Sequence, residues 1–292
     1  LANLSHIVGL TFWWYHGGML IKLIGHQNIL QMLQQMHERG RLGHALLFVG
    51  PKHVGKRTLA EELVFAIYAL SPTHPDFLFL EREQNDKGKL KQNISIEQVR
   101  TLRSRLQLSS LGGFKVAVID EAELLSLEAA NALLKTLEEP TPKTQLILLA
   151  SHVSGVPATI ASRCQIVNVP LVSHKEMSAA FGEVLARKAD GRPGLAQLYK
   201  TDDTLSQRRD EQAGAWQKLG RSSLSQKLGL MQKSLKQWEP LQLLDAWEAE
   251  AHRELIQQPT AMRAQLLQKM AITRKAIMGN VNNNLAFEQI IL

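Results

Sequence analysis

The 292-residue sequence has one cysteine, Cys164. A lone thiol forms no internal disulfide and builds no cysteine-rich zinc module, and it suits a reducing cytosol. Ten histidines are present but show no metal-ligand spacing, so no metal cluster is expected from them. There is no internal repeat and no low-complexity tract. No apolar run is long enough to span a bilayer. The nearest to one is the opening LANLSHIVGLTFWWYHGG, residues 1–18, which carries no acid, lysine or arginine. It is short for a span and lacks the basic start of a signal peptide. Met19 follows at once, so translation is expected to start there, with 1–18 a non-native extension. The rest is ordinary for a globular chain: 45% hydrophobic residues are ample for a core, and the length allows two or three domains. The net charge of +7 is compatible with polyanions but is diffuse.

Apolar periodicity divides the chain in two. Residues 25–40 have helical spacing. Gly43 to Val49 reads as a buried strand running into Gly50, and Thr58 to Leu70 as an amphipathic helix. His74 to Leu80 is a strand candidate, Glu81 to Asn93 an exposed loop, and Ile94 to Leu108 a helix. A strand over 115–119 precedes a helix over 126–139, which Pro140 and Pro142 stop. Leu146 to Ala150 and Gln165 to Val169 complete the strands. The alternation predicts an α/β domain with a parallel, helix-flanked sheet as far as Pro170. From Ser173 onward only helical segments are expected. Asp190 to Gly194 is a turn among them, Thr201 to Arg209 a linker or helix junction, and Leu205 to Leu292 a bundle with Trp216, Trp238 and Trp247 as anchors.

Three motifs carry chemistry. Gly50-Pro-Lys-His-Val-Gly55-Lys56 sits between a strand and a helix, where glycine N–H groups converge on phosphate and a lysine neutralises it. The full pattern wants Ser or Thr directly after the lysine to hold Mg²⁺. Arg57 stands there, and Thr58 follows one residue late, rotated by about 100° on a helix. A loop that binds nothing is the competing reading. Asp120 and Glu121 end the strand 115–119. There Asp120 can hold Mg²⁺ through water and Glu121 can polarise an attacking water, or the pair can cap the next helix. Arg163 precedes another strand, where a guanidinium can reach a phosphate on an adjacent subunit, or be an ordinary surface arginine. Cys164 is expected to pack as a small hydrophobe.

These residues, with His74-Pro-Asp76, the run Val118-Ile-Asp-Glu-Ala-Glu123, the helix Ala129 to Pro140, Ser162-Arg163-Cys164 and the tail from Asn280, resemble the AAA+ clamp-loader subunits of bacterial DNA polymerase III. The resemblance covers about 19–292. It implies an AAA+ P-loop NTPase-like sheet domain over 19–170, a small helical lid over 171–204 and a helical collar over 205–292. It implies the non-motor, stator role in a hetero-pentamer with gamma/tau motor subunits and a delta subunit, acting on a sliding clamp and primed DNA in the cytoplasm. In that role the chain is part of a DNA-directed DNA polymerase holoenzyme, a nucleotidyltransferase, with weak or absent ATPase of its own. The alternative is a gamma/tau-type motor. The residues that would meet ATP and Mg²⁺ at a degenerate site are Gly50, Gly55, Lys56, Thr58, Asp120 and Ser151. Glu121 would activate water, and Arg163 would be an arginine finger in trans. Departures from the motor pattern are Arg57 after the lysine, Ala150-Ser151 where a threonine ends the strand, and Gly194 in place of a lid arginine. No cysteines stand after the P-loop helix to hold zinc, so a zinc-free subunit is implied.

Overall fold

The computed structural model describes residues 14–16, 19–21, 23–86, 88–279 and 281–291. Most of the segment 1–18, and with it the expectation of a start at Met19, lies outside them. Within it β1 (Trp14–His16) is described, and it pairs antiparallel with β2 (Met19–Ile21), which follows the segment. The chain divides into two compact units, residues 1–196 and 197–292.

The first unit continues with α1 (Gln27–Glu38), β3 (Ala45–Val49), α2 (Lys56–Tyr68), β4 (Phe77–Leu80), α3 (Ile96–Gln107), β5 (Lys115–Ile119), α4 (Leu127–Glu138), β6 (Thr144–Ala150), the single turn α5 (Ala158–Ala161) and β7 (Gln165–Asn168). Strands β3 to β7 form one parallel sheet in the order β4-β5-β6-β3-β7. The predicted strands are these, β5 at the predicted residues and the others with one end moved by one to three residues. The exception in kind is the region 81–93, which carries a small antiparallel bridge, Gln84 to Leu90.

Burial on both faces explains why the strands read as continuous apolar runs. Alternate residues feed separate cores. Leu47, Ala117, Ile119, Leu146 and Leu148 meet Val99, Leu102 and Leu106 of α3 and Leu133 and Leu137 of α4. Leu46, Phe48, Val116, Val118, Ile147 and Leu149 meet Leu33 of α1 and Leu59, Leu63 and Val64 of α2. Each fully buried side chain of this size contributes roughly 1.5–3 kcal/mol, so the three-layer arrangement holds the sheet edge rigidly. Ser95 with Gln98 forms a capping box on α3, and Ser126 caps α4. Beyond β7, α6 (His174–Phe181), α7 (Glu183–Ala189) and the start of α8 (Pro193–Thr201) close a small core of Val172, Met177, Ala186, Ala189 and Ala196.

The second unit consists of α9 (Asp203–Gly220), α10 (Leu224–Gln237), α11 (Pro240–Gln257), α12 (Ala261–Met278) and α13 (Asn283–Ile291). Trp247 is its centre, with ring centroids 5.8 Å from Trp216 and 5.6 Å from Phe287. Met231, Leu243, Leu244 and Met270 complete the core, with Trp238 packed at its margin. Of the two readings of Thr201 to Arg209, linker or helix junction, the structure shows a helix junction. Only Asp202 breaks the helices, as N-cap of α9, and Leu205 to Arg209 are helical. The segment reads as polar because α9 turns several charged residues outward while burying Arg209.

Candidate functional site

Strand register gathers the predicted residues at one edge. Val49 pairs with Ala150 and Ile119 with Leu148, so Gly50, Asp120 and Ser151 all emerge at the carboxyl ends of neighbouring strands. That is where open α/β sheets hold ligands. Gly50 donates its N–H to Ala150 O at 3.2 Å, and a Cβ at Gly50 would stand 2.1 Å from Val169 O, so only glycine fits. The loop then climbs through His53 to Gly55, whose φ of 104° favours glycine. Gly55 is the N-cap of α2 and supplies no side-chain acceptor to the first turn. The helix thus starts at Lys56, two residues earlier than the apolar spacing predicted.

The loop's lysine is engaged within the loop. Lys56 Nζ donates to Gly50 O at 2.7 Å and to Pro51 O at 2.9 Å. Burial holds its pKa below the ordinary lysine value, against the opposing pull of Glu123 and Asp120. Asp120 accepts the Glu121 N–H on Oδ1 at 2.8 Å, and burial raises its pKa. Glu121 adopts the left-handed region, φ 47°, uncommon for a residue with a side chain. Its carboxylate is clamped from both sides: Arg82 Nε lies 2.7 Å from Oε2 and Lys52 Nζ 3.3 Å from Oε1.

The position after the lysine is equally occupied. The Arg57 guanidinium lies 3.9 Å over the Phe79 ring, with Nε 3.0 Å from Glu61 and Nη1 3.4 Å from Glu81. Thr58 comes next on α2, on a different face of the helix. From the other side, Gly194 N–H donates to His53 O at 2.9 Å, and a Cβ at Gly194 would meet that oxygen at 3.1 Å. The backbone of the small helical cluster therefore lies directly on the loop, at the position where a lid arginine was looked for. No hydroxyl stands directly after Lys56, one Asp120 oxygen is turned back on the chain, and Glu121 is paired on both of its oxygens.

One acid escaped the sequence reading. Glu123, carried round by the 3-10 turn Ala122–Leu124, accepts the Ser151 N–H on Oε1 at 3.0 Å, while its Oε2 is buried without a protein partner among the described residues. It is the foremost acid acting on Lys56. The signal was its place two residues past Glu121, but nothing in spacing says which of three nearby acids a turn will aim inward.

Arg163 is at the other end of the sheet. Gln165 pairs with Leu46, four residues and roughly 13 Å along the strand from the level of Gly50, and Arg163 lies in the turn before that amino end of β7. Its Nη2 lies 2.7 Å from Glu138 and its Nη1 donates to Thr159 O at 2.9 Å. It is apart from the chain's own loop and partly exposed. Cys164 packs against the core, and burial pushes its thiol up to about 11.

Residues 69–173, from the end of α2 to beyond β7, match the family described as DNA polymerase III, delta subunit. The match covers about a third of the chain. The matched stretch holds Asp120, Glu121 and Arg163 but begins after the P-loop. The clamp-loader resemblance also runs outside it. Over 181 residues the chain is 36% identical to the DNA polymerase III subunit delta-prime of Pseudomonas aeruginosa, covering 56% of this chain and 52% of that one. It is 32% identical over 160 residues to the subunit tau of Bacillus subtilis, 49% of this chain and 27% of the other. The chain thus spans about half, or less, of the length of these relatives. A DNA polymerase III gamma subunit-related protein of Thermotoga maritima shares the fold at TM-score 0.54 and 17% identity, over 90% of this chain and 97% of that one. The chain therefore shares the fold of that protein, and over about half of its length it is similar to delta-prime and tau subunits.

Proposed function

We propose that this protein is the non-motor, stator subunit of a DNA polymerase III clamp loader, of the delta-prime kind. The observation that carries the reading is the clamp on Glu121. A carboxylate held by Arg82 and Lys52 is a poor base for water, and the adjacent Lys56 is bonded to its own loop. Such a subunit contributes shape and a surface charge, not turnover. Its partners are gamma/tau motor subunits and a delta subunit in a hetero-pentamer, with the sliding clamp and primed DNA as what the assembly handles in the cytoplasm. Among the described residues no helix is long and apolar enough to cross a membrane, which is compatible with this setting. Arg163 supplies the finger in trans: it stands away from the chain's own loop, and its pair with Glu138 is exposed enough to exchange at small cost, about 0–1 kcal/mol.

The competing reading is a gamma/tau-type motor. Lys56, Asp120 and Glu121 are all present, and tau is among the relatives. Steady-state ATP turnover decides between them, measured on the isolated chain and then with gamma/tau, delta, clamp and primed DNA added. The stator reading expects background turnover alone and no change in the isolated chain with Glu121→Gln. Robust turnover lost on that substitution would establish the motor.

A further inference from the structure

The helical unit gathers two guanidiniums on one buried carboxylate. Arg209 on α9 is 6% exposed, and its Nη2 donates to Glu250 Oε1 at 3.1 Å. Arg253, one turn further along α11, donates from its own Nη2 to the same oxygen. Two guanidiniums share one carboxylate, so one positive charge is left over. Three donors around this node are buried without a protein partner among the described residues: Arg209 Nη1, Arg253 Nε and Gln212 Nε2. Gln212 is 4% exposed and lies three residues after Arg209, on the same face of α9. Its carbonyl accepts from Trp247 Nε1 at 3.2 Å, which fixes the backbone that carries it.

The acids nearby do not supply the missing charge. Glu254 accepts from Trp216 Nε1 at 2.9 Å and lies 4.0 Å from Arg263. Asp245 and Glu248 are held by Arg274 at 2.5 and 2.6 Å. Asp210 and Glu211 are exposed on α9. Arg253 is 30% exposed, so solvent meets part of the surplus charge, but the buried donors without acceptors remain costly. A single negative acceptor satisfies those donors and balances the rest of the charge.

We propose that Arg209, Gln212 and Arg253 form a binding site for one small monovalent anion of the halide or carboxylate class. The unpaired groups are all donors, which selects an acceptor-only ligand. The surplus of one charge selects a single negative one, and burial between two packed helices selects a small one. A water molecule accepts two of these bonds at most, needs acceptors for its own protons and leaves the charge in place.

The test is thermal unfolding of the full chain by tryptophan fluorescence, for which Trp216 and Trp247 flank the node. Sodium chloride and sodium acetate are titrated separately against sodium isethionate at fixed ionic strength. The midpoint should climb with the logarithm of chloride or acetate, as expected for a ligand of the folded state. Arg209→Met leaves Arg253 and Glu250 balanced and should abolish that dependence. Gln212→Leu should raise the half-saturating concentration by about tenfold, the loss of one hydrogen bond to a charged group. Crystals of the full chain in sodium bromide should show an anomalous peak beside Arg209 Nη1 and Gln212 Nε2. A flat wild-type midpoint, an equal slope in Arg209→Met or a bromide map with no peak there each overturns the proposal. If Arg209→Met does not fold, Gln212→Leu and the bromide map decide it.

Discussion

Arg163 and Glu121 are both ion-paired, yet the pairs differ in what they permit. Glu121 has cations at 2.7 and 3.3 Å on its two oxygens and a strained backbone, so freeing it means dismantling a network that also holds Arg82. Arg163 faces Glu138 with both side chains 38% or more exposed, a contact that solvent and salt weaken readily. A charge in that setting can change partners. Arg163→Ala is therefore expected to leave the chain's own stability within about 1 kcal/mol, because no core volume is removed. In a clamp loader assembled with motor subunits, it should lower clamp- and DNA-stimulated ATPase, by less than the 10³-fold or more that losing a sole arginine finger costs, since several sites share the work. Steady-state ATPase beside a pull-down of the complex checks both halves. Unchanged turnover with intact assembly would mean that Arg163 is only a surface residue.

At the scale of elements, the approach of β3 to the chain leaving β7 is the tightest joint in the sheet. Gly50 closes against Val169, with Val169 N–H donating to Val49 O at 2.7 Å and no room for a methyl group. Gly50→Ala should cost about 3 kcal/mol or more, because the obstacle is backbone and overpacking there must shift a strand. Urea unfolding with a lowered midpoint and an unchanged slope would show it. A loss below about 0.5 kcal/mol would show that the joint is slack. Element existence was legible in the sequence from apolar runs and helical stripes, as at β5 and α4. Element ends were less so. At α2 the first turn is set by the loop's glycine and by phosphate-loop geometry, not by the hydrophobic stripe that begins at Leu59.

At the scale of the molecule, each compact unit holds its own core. The first has the two sheet-facing clusters and the small cluster around Met177, and the second has the group centred on Trp247. Deleting 197–292 should therefore leave a piece that still melts cooperatively, since none of the first unit's core residues is removed. Under the clamp-loader reading, that piece should no longer enter the ring. Circular dichroism melts and size-exclusion runs with the partner subunits test the two parts. A truncated chain that still co-elutes with its partners would remove assembly from the helical unit's duties.

The sequence by itself determined the parallel α/β architecture, the helical remainder, the absence of disulfides and the family likeness. These follow from local periodicity and from motifs contiguous in the chain. Only the tertiary structure decided that Gly50, Asp120 and Ser151 meet at one sheet edge while Arg163 stands beyond the other, because strand order and register depend on long-range pairing. Only it set Glu123 on the Ser151 N–H, placed Arg82 on Glu121 from 39 residues away, and buried Arg209 against Glu250 from 41. A charged residue reads as solvent-facing until its partner is known, and the partner comes from packing that no local pattern encodes.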